Sequence, residues 1–424
     1  MAHCRVEERD FRGWQAAYLK NDLITLAAVP DIGGRIMAYD LGPYPYLYVD
    51  RQYAGQLFTP EENQGDGSLA AWKNYGGDKT WPAPQGWVSD DQWHGPPDPI
   101  LDTGHYRLEA LRCDGTAATV KMVSPATSAT GVQIIRQATI HADSSRVMLD
   151  LSFRNVTQRT VRWSIWDVVQ LNAERRLPDG ILAPDTGCVV TAPINPDSRF
   201  DEGFTVMFGD PNNPQWRSDK AAGLFVGDYQ WEIGKVGLDS RAGWAAFANT
   251  SAQQAFALRY TPFPDQDYPD DGAAVEFWTV GRGQVANLDY EKSAIYLMEV
   301  EVLSPFQHIE PEQRVSFRIE WGVCRCPGPI VDVTEGGCAG RKLQVTRNGN
   351  YAHLTGAFGV FDRGPLNLEW LDRAGGVLEP VALGPVSPLG MVALDQLCAV
   401  PPAATQVQLI VSNGTRRLLA RAAL

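Results

Sequence analysis

The chain has 424 residues and a formal net charge of −13, from 37 Lys and Arg against 50 Asp and Glu. A hydrophobic content of 44% with 21% charged residues is typical of a globular protein and excludes wholesale disorder. The acidic balance argues against binding to nucleic acid or to an anionic membrane surface, because both need clustered Lys and Arg. The 13 tryptophans and 29 prolines are less ordinary, since many of them fall in one short stretch.

Short β-type runs bounded by Gly, Pro, Asn and Asp follow one another along most of the chain. The first two, 23–29 and 35–39, flank the turn at 30–34 and predict a hairpin. Further strands are predicted at 117–123, 132–141, 146–154, 160–171, 187–192, 204–208, 222–227, 243–248, 254–260, 274–280, 293–303 and 314–322. Helical periodicity is hard to find, so the pattern predicts an all-β fold with a large antiparallel sandwich rather than an α/β protein.

Residues 323–340 are rich in Gly and Pro and are typical of a linker. We therefore expect a large β-sandwich domain in residues 1–322 and a small β-sandwich domain in residues 341–424. The small domain would bind a glycan or a partner subunit, or merely cap an exposed sheet edge.

The first ten residues are polar and lack the apolar core of a secretory signal, and no run of 18 apolar residues predicts a transmembrane helix. The seven cysteines are scattered, and free thiols are favoured over a disulfide from Cys338 to Cys324 or Cys326. These features predict a cytoplasmic protein.

Residues 58–106 hold almost no strand pattern but contain Trp72, Trp81, Trp87 and Trp93. A loop this long inside a compact domain is usually functional or disordered, and disorder would leave four indoles in water. Pro and Gly can hold a rigid irregular path from which polar groups project. Those polar groups are Asp78, Lys79, Gln85, His94 and Asp98. An aromatic wall with planar polar groups is typical of sugar sites.

Two other interpretations of this region stay open. The tryptophans would simply plug the end of the sandwich, with the polar groups bonded to the loop backbone. Alternatively, His94, Asp98, Asp102 and His105 would bind a metal ion. Their spacings match no compact ligand signature, so we expect no metal and no other cofactor.

Two strands carry polar residues on one face. In 295–303, alternation places Glu299 and Glu301 opposite the apolar residues, about 7 Å apart from a rise of roughly 3.3–3.4 Å per residue. Such a strand can supply a general base beside a pocket, or it is an ordinary solvated sheet face. In 161–171, Trp166 and Gln170 share a face. The indole would stack on a ligand and the amide would hydrogen-bond to it, unless Trp166 belongs to the core. Sequence signatures of nucleophilic, nucleotide-binding and zinc enzymes are absent from the sequence.

The sequence resembles the galactose-mutarotase-like superfamily, the large supersandwich β fold of aldose 1-epimerases and several polysaccharide lyases. The resemblance rests on ordered segments at 29–36, 153–157, 298–305 and 311–317. Within the superfamily, the GGDKTWPAPQ segment at 76–85 resembles an uncharacterised domain-of-unknown-function family. The likeness covers roughly residues 12–322.

The resemblance implies roles for individual residues. In aldose epimerases, a Glu four residues before a Pro is the base, which matches Glu301 before Pro305, with Glu299 second. Trp166 stands where the acidic His is expected, and Lys79, His94 or Asp167 would have to replace that acid. Arg35 is the candidate for binding a hydroxyl group or the carboxylate of an acidic sugar.

Together these features predict a carbohydrate-active protein that binds a small sugar or oligosaccharide and acts like an aldose epimerase with a glutamate base. The expected substrate-binding residues are Arg35, Asp78, Lys79, Trp81, Gln85, Trp87, His94, Trp166 and Gln170. Two alternatives are a non-catalytic carbohydrate-binding or sensing protein and a lyase acting on an acidic polysaccharide. The sequence does not indicate an oligomeric state.

Overall fold

The computed structural model describes residues 3–66, 71–85, 95–285, 288–289 and 294–424. Within these ranges the helices are α1 (Pro60–Gln64), α2 (Pro99–Thr103) and one 3₁₀ turn at Asp270–Gly272. None of these helices is long and apolar enough to cross a membrane. The rest of the regular structure is β-strand.

The strands of the first half, in chain order, are β1 (Arg5–Phe11), β2 (Trp14–Lys20), β3 (Ile24–Val29), β4 (Arg35–Leu41), β5 (Tyr44–Pro45), β6 (Asp78–Ala83), β7 (Arg107–Cys113), β8 (Ala117–Val123), β9 (Val132–His141), β10 (Val147–Asn155), β11 (Val161–Asn172), β12 (Glu174–Arg176), β13 (Leu182–Pro184) and β14 (Cys188–Pro193). They continue with β15 (Thr205–Gly209), β16 (Trp216–Asp219), β17 (Leu224–Asp228), β18 (Gly234–Leu238), β19 (Trp244–Asn249), β20 (Gln254–Tyr260), β21 (Val275–Thr279), β22 (Gln284–Val285), β23 (Leu288–Asp289), β24 (Leu297–Leu303), β25 (Gln307–Ile309) and β26 (Arg314–Arg325). The last strands are β27 (Asp332–Val333), β28 (Gly337–Asn348), β29 (Tyr351–Val360), β30 (Gly364–Leu371), β31 (Val377–Val386), β32 (Met391–Ala399), β33 (Gln406–Asn413) and β34 (Thr415–Ala423).

Two large antiparallel sheets form the main sandwich. The first sheet has the order β1-β2-β3-β4-β6-β11-β24-β21-β18-β15, with β5 and β25 paired at its side. The second sheet has the order β16-β17-β14-β19-β20-β26-β10-β9-β8-β7. Since neighbouring strands in both sheets often lie far apart in sequence, residues from distant segments meet on one surface.

The main hydrophobic core lies between these sheets. Strand β9 shows how the sequence builds this core. Side chains alternate along a strand, so its even-numbered residues share one face, and four of them enter the core: Val132, Ile134, Ala138 and Ile140. Arg136 occupies the same inward row. A buried charged residue in an otherwise apolar row requires a partner on the facing sheet.

The C-terminal part is a small sandwich of two four-stranded sheets, β27-β28-β29-β32 and β31-β30-β33-β34. It has its own apolar core, which includes Phe358, Leu368 and Trp370. A further apolar cluster, with Cys324, Cys338 and Phe361 among its members, joins it to the second sheet. All seven cysteines are free thiols.

The all-β fold class, with a large antiparallel sandwich and a small C-terminal one, is confirmed. The segment 323–340 holds the end of β26, all of β27 and the start of β28. The division into domains at 322 and 341 remains a prediction. The early hairpin and each further predicted strand overlap a strand of the structure. Strands that were not predicted include β1, β2, β7, β16, β18 and β6, which lies inside the supposed loop 58–106.

The partner of Arg136 is Asp78 on β6, so the two large sheets are joined by an ion pair inside the core. One nitrogen of the guanidinium also donates to the carbonyl oxygens of Gly34, at 2.7 Å, and Asp78, at 3.2 Å. Asp167 on β11 lies beside Asp78, and burial, followed by the charge of Asp78, raises the pKa of Asp167 well above its usual value. Burial raises the pKa of Asp78 as well.

Replacing Arg136 should therefore destabilise the fold. We expect Arg136→Met to lower the free energy of unfolding by about 3–5 kcal/mol, because the variant leaves Asp78 buried without its cation. The matched control is Arg318→Met on β26, whose ion pair with Asp150 is largely exposed and should contribute roughly 0–1 kcal/mol. Urea unfolding followed by tryptophan fluorescence measures both, and equal effects would contradict the structural role of Arg136.

Candidate functional site

Five neighbouring strands of the first sheet, β6, β11, β24, β21 and β18, present a polar surface on the side away from the core. We call this surface the site face. Pairing aligns Lys79 with Val168, Val168 with Glu301, and Glu301 with Glu276. Because side chains alternate along a strand, Glu299 and Glu301 point to the site face while the residues between and beside them enter the core. Those core residues are Met298, Val300 and Val302.

A glycine pair sets the entry of the chain into β6. Gly76 and Gly77 have φ values of +92° and +72°, a region that other residues rarely adopt. A Cβ atom on Gly76 would lie 2.3 Å from the carbonyl oxygen of Tyr48, so a larger residue does not fit there. Beyond Asp78, β6 pairs with β11 and not with β4, which leaves one side of the strand open and tolerates Pro82.

Lys235 is the central cation of the site face. Its Nζ lies 2.7 Å from Oε2 of Glu276 and 3.0 Å from Oε2 of Glu301. Burial alone would lower the pKa of Lys235, but the two glutamates outweigh burial and raise that pKa. Burial raises the pKa of Glu301, and it raises the pKa of Glu276 well above its usual value, while Lys235 opposes both shifts.

Lys79 and Glu299 form a second buried pair. Nζ of Lys79 donates to Oε1 of Glu299 at 3.3 Å, and Nε2 of Gln170 donates to the same oxygen. Burial lowers the pKa of Lys79, and Glu299 only partly opposes this effect. Of the two glutamates on β24, Glu301 is fully buried, whereas Glu299 keeps 9% of its surface exposed. Glu299 is therefore the more accessible of the two carboxylates.

Three indoles pack against these charges. The ring centroids of Trp72 and Trp81 are 5.7 Å apart, and those of Trp81 and Trp166 are 5.5 Å apart. Nζ of Lys79 lies 4.8 Å from the centroid of Trp81, and Nζ of Lys235 lies 4.5 Å from the centroid of Trp166. Trp81 and Trp166 are both buried, whereas Trp72 is half-buried, and Nζ of Lys79 also lies 5.6 Å from the centroid of Trp72.

Each of these indole N–H groups donates to a carboxylate. Trp72 and Trp81 donate to the two oxygens of Asp102, at 2.8 and 3.0 Å, and Trp166 donates to Oε2 of Glu301 at 2.8 Å. Asp102 comes from α2, a short helix whose first turn is capped by the side chain of Asp98. The helix thus holds a carboxylate against the aromatic cluster.

The structure brings Glu299, Glu301, Lys79, Trp81, Trp166 and Gln170 together on the site face. Arg35 lies beside it, fully buried, with Nη2 2.5 Å from Oδ1 of Asp102. Asp78 lies on the core side of the same sheet, bonded to Arg136. Gln85 is buried and donates to the carbonyl oxygen of Gly95 at 2.9 Å. Trp87 and His94 lie outside the described residues.

The candidate metal ligands of the sequence serve other purposes where the structure describes them. Asp98 caps α2 and accepts from two threonine hydroxyls, and Asp102 accepts from indoles and Arg35. His105 pairs with Asp31 at the surface. Among the described residues, no group of three or more His, Cys, Asp or Glu side chains is arranged to hold a metal ion.

Several buried acceptor atoms of the site face lack a hydrogen-bond partner among the described residues. They include Oε1 of Glu301, Oε1 of Gln170 and Oε1 of Glu276. A buried acceptor without a donor is costly, because it has lost water and gained nothing in return. A ligand that offers hydroxyl or N–H donors would satisfy such atoms.

Two charged residues of the site face were missed by the sequence analysis. Glu276 lies in a strand that was predicted, and alternation with the core residues Val275 and Phe277 was a usable signal for its orientation. Lys235 lies in β18, whose short sequence GKVGL gives little strand pattern because two of its five residues are glycine.

Replacing Lys235 should make stability strongly dependent on pH. In Lys235→Met, Glu276 and Glu301 lose their cation, so their folded-state pKa values rise further above those of the unfolded chain. The folded state then binds more protons than the unfolded state, and the free energy of unfolding increases as the pH falls. We expect a loss of about 3–5 kcal/mol at pH 8 that becomes smaller at pH 5.

Urea unfolding at several pH values measures this effect. The control is Lys220→Met, which removes an exposed lysine paired with Glu202 and should change stability by roughly 0–1 kcal/mol. A loss in Lys235→Met that stays constant from pH 5 to pH 8 would contradict the proposed charge balance.

Comparison with known proteins identifies the family to which the chain belongs. The family model "Domain of unknown function (DUF4380)" matches residues 15–324. No curated protein matches the sequence. Similar solved structures include a galactose mutarotase-like protein from Clostridium acetobutylicum, with 12% identity, a TM-score of 0.46 and coverage of 76% of this chain and 99% of that one.

Two more solved structures are similar at the same level. A putative aldose 1-epimerase from Klebsiella pneumoniae subsp. pneumoniae MGH 78578 has 10% identity and a TM-score of 0.49, with coverage of 75% of this chain and 83% of that one. The Slr1438 protein from Synechocystis sp. PCC 6803 has 13% identity and a TM-score of 0.44, covering 75% and 99%. The names of the first two are those of the superfamily that the sequence resembles. Because the family model spans most of the chain, the protein belongs to the DUF4380 family.

Proposed function

We propose that the site face binds a sugar and that the protein interconverts the anomers of that sugar with Glu301 as the general base. The observation that carries this proposal is the group of unpartnered buried acceptors that includes Oε1 of Glu301 and Oε1 of Gln170. Sugar hydroxyls are donors of the required kind, and the cluster of Trp72, Trp81 and Trp166 places indole rings beside these acceptors.

The surroundings of Glu301 suit the role of a base. Trp166 and Lys235 both donate to Oε2, so the carboxylate is fixed while Oε1 is left to accept a proton. Burial raises the pKa of Glu301, which makes its carboxylate a stronger base than one in water. The resemblance of the segment around Glu301 and Pro305 to aldose epimerases supports the same residue.

Lys79 is the proposed acid, since Trp166 stands where epimerases have a histidine. Oε1 of Glu301 would take the proton of the anomeric hydroxyl group as the bond from the anomeric carbon to the ring oxygen breaks. The ring oxygen would receive the electron pair of that bond and a proton from Lys79. Rotation of the resulting open-chain aldehyde and reversal of both proton transfers then give the other anomer, with no oxidant or reductant consumed.

Removing the base should abolish the activity. We expect Glu301→Gln to slow anomer interconversion of glucose or galactose by about 10²–10⁴-fold, the usual contribution of a general base. Polarimetry of freshly dissolved α-anomer measures the rate above that of buffer. The matched control is Glu379→Gln at an exposed position of β31, which should leave the rate unchanged. An active wild type with an unimpaired Glu301→Gln variant would remove Glu301 from the mechanism.

The rate should depend on pH with a maximum. It should fall in acid, because protonation of Glu301 around its raised pKa removes the base. It should also fall in alkali, because Lys79 loses its proton at a lowered pKa. In Lys79→Arg the guanidinium keeps its charge but releases no proton at these pH values, so the rate should fall and the alkaline decline should disappear, whereas Lys220→Arg should change neither. An unchanged alkaline decline in Lys79→Arg would exclude Lys79 as the acid.

A non-catalytic sugar-binding protein is the second candidate. It is favoured by the indole of Trp166, which occupies the place of a proton donor and instead bonds to Glu301. It predicts a saturable change in tryptophan fluorescence without any increase in the polarimetric rate. We do not propose a lyase, because Arg35, the candidate for binding the carboxylate of an acidic sugar, is fully buried and paired with Asp102.

A further inference from the structure

A pocket lined in part by the segment 262–274 lies beside the site face. Its lining includes Arg199, Ser240, Arg241, Phe263, Gln266 and Tyr268. Tyr268 also packs against the cluster of Trp81 and Trp166, and the carbonyl oxygen of Ala274 accepts from the backbone of β24. The pocket and the site face therefore share a wall.

The charge of this pocket is positive. Arg199 and Arg241 are exposed, and neither forms an ion pair with any carboxylate in the part of the chain that the structure describes. Nη1 of Arg199 donates to the carbonyl oxygen of Asp271 at 2.9 Å, which orients the guanidinium along the pocket wall. Arg241 is the second basic residue that lines the pocket.

Asp239 is the acidic residue of the lining, and its oxygens are already engaged. It accepts from the hydroxyl of Ser198 at 2.6 Å, from the backbone N–H of Arg199 at 3.0 Å and from the amide of Asn195 at 3.3 Å. The carboxylate of Asp239 thus stabilises the loop 195–199. The two guanidiniums remain available to a ligand.

Ser240 supplies an independent sign of a ligand. Its side chain lines the pocket and is only 2% exposed, yet its hydroxyl has no hydrogen-bond partner among the described residues. A buried hydroxyl normally has a partner. An acceptor held between the two arginines would provide one.

We propose that this pocket binds a small oxyanion group, such as a carboxylate, sulfate or phosphate. Arg199 and Arg241 would donate charge-assisted hydrogen bonds to it, and Ser240 would donate its hydroxyl proton. The exposed ring of Phe263 lies in the same lining and suits the carbon skeleton that carries the anion. The proposal does not rest on sugar turnover at the site face.

Calorimetric titration of the full chain with inorganic phosphate, sulfate, glucuronate and glucose tests the site. All titrations use one ionic strength set with sodium chloride, because screening weakens every charge contact. We expect saturable binding of the anions and none of glucose at this pocket. Arg199→Ala and Arg241→Ala should each weaken anion binding by at least about tenfold, and Ser240→Ala by about threefold or more.

The control is Arg373→Ala, which removes an exposed arginine of the small sandwich and should leave binding unchanged. Glu301→Gln should also bind the anions normally, which separates this site from the site face. Glucuronate that binds more tightly than phosphate would identify an acidic sugar as the ligand, and equal affinities would identify the anionic group alone. Anion binding that is absent, or equal in wild type and both arginine variants, would overturn the proposal.

Discussion

The ion pairs of Lys235 with Glu276 and Glu301 are the interaction on which the candidate site depends. Moving a charged group from water into a protein costs several kcal/mol, and each of these side chains is buried. Only their mutual attraction and hydrogen bonds offset that cost. If Lys235 were absent, the two glutamates would neutralise themselves by binding protons, and Glu301 would lose the charge that makes it a base. The chemistry and the folding of this face thus rest on one ammonium group.

Charge compensation continues on the other side of the same strands. Asp78 and Asp167 lie on the core side of β6 and β11, and Arg136 reaches them from the second sheet. Strands that carry Lys79 and Trp166 on one face are therefore held by an ion pair on the other. Replacing buried ion pairs with apolar residues often makes proteins more stable, so stability alone does not account for this arrangement. The ion pair on the core side does, however, hold the side chains of the site face in fixed positions.

Much of the fold followed from the sequence, because its strands alternate strongly and are bounded by turn residues. The orientation of Glu299 and Glu301 also follows from period-two alternation in 297–303. What the sequence did not reveal is which strands become neighbours, since β18 and β24 lie about 60 residues apart and meet through β21. Lys235 was missed one step earlier, because β18 itself gives little strand pattern. The strand β6 was missed because its proline and its flanking glycines resemble a loop.

The two lysines of the site face differ in a way that decides which of them can transfer a proton. Lys235 faces two carboxylates, which hold its proton firmly and raise its pKa. Lys79 has one glutamate at 3.3 Å and otherwise rests on the indole faces of Trp72 and Trp81. A cation over an aromatic ring gains up to about 2 kcal/mol, which is less than the hydration it loses on burial. The aromatic cluster therefore shields Lys79 from water without fully compensating its charge. This incomplete compensation lowers the pKa of Lys79 and makes it the better proton donor.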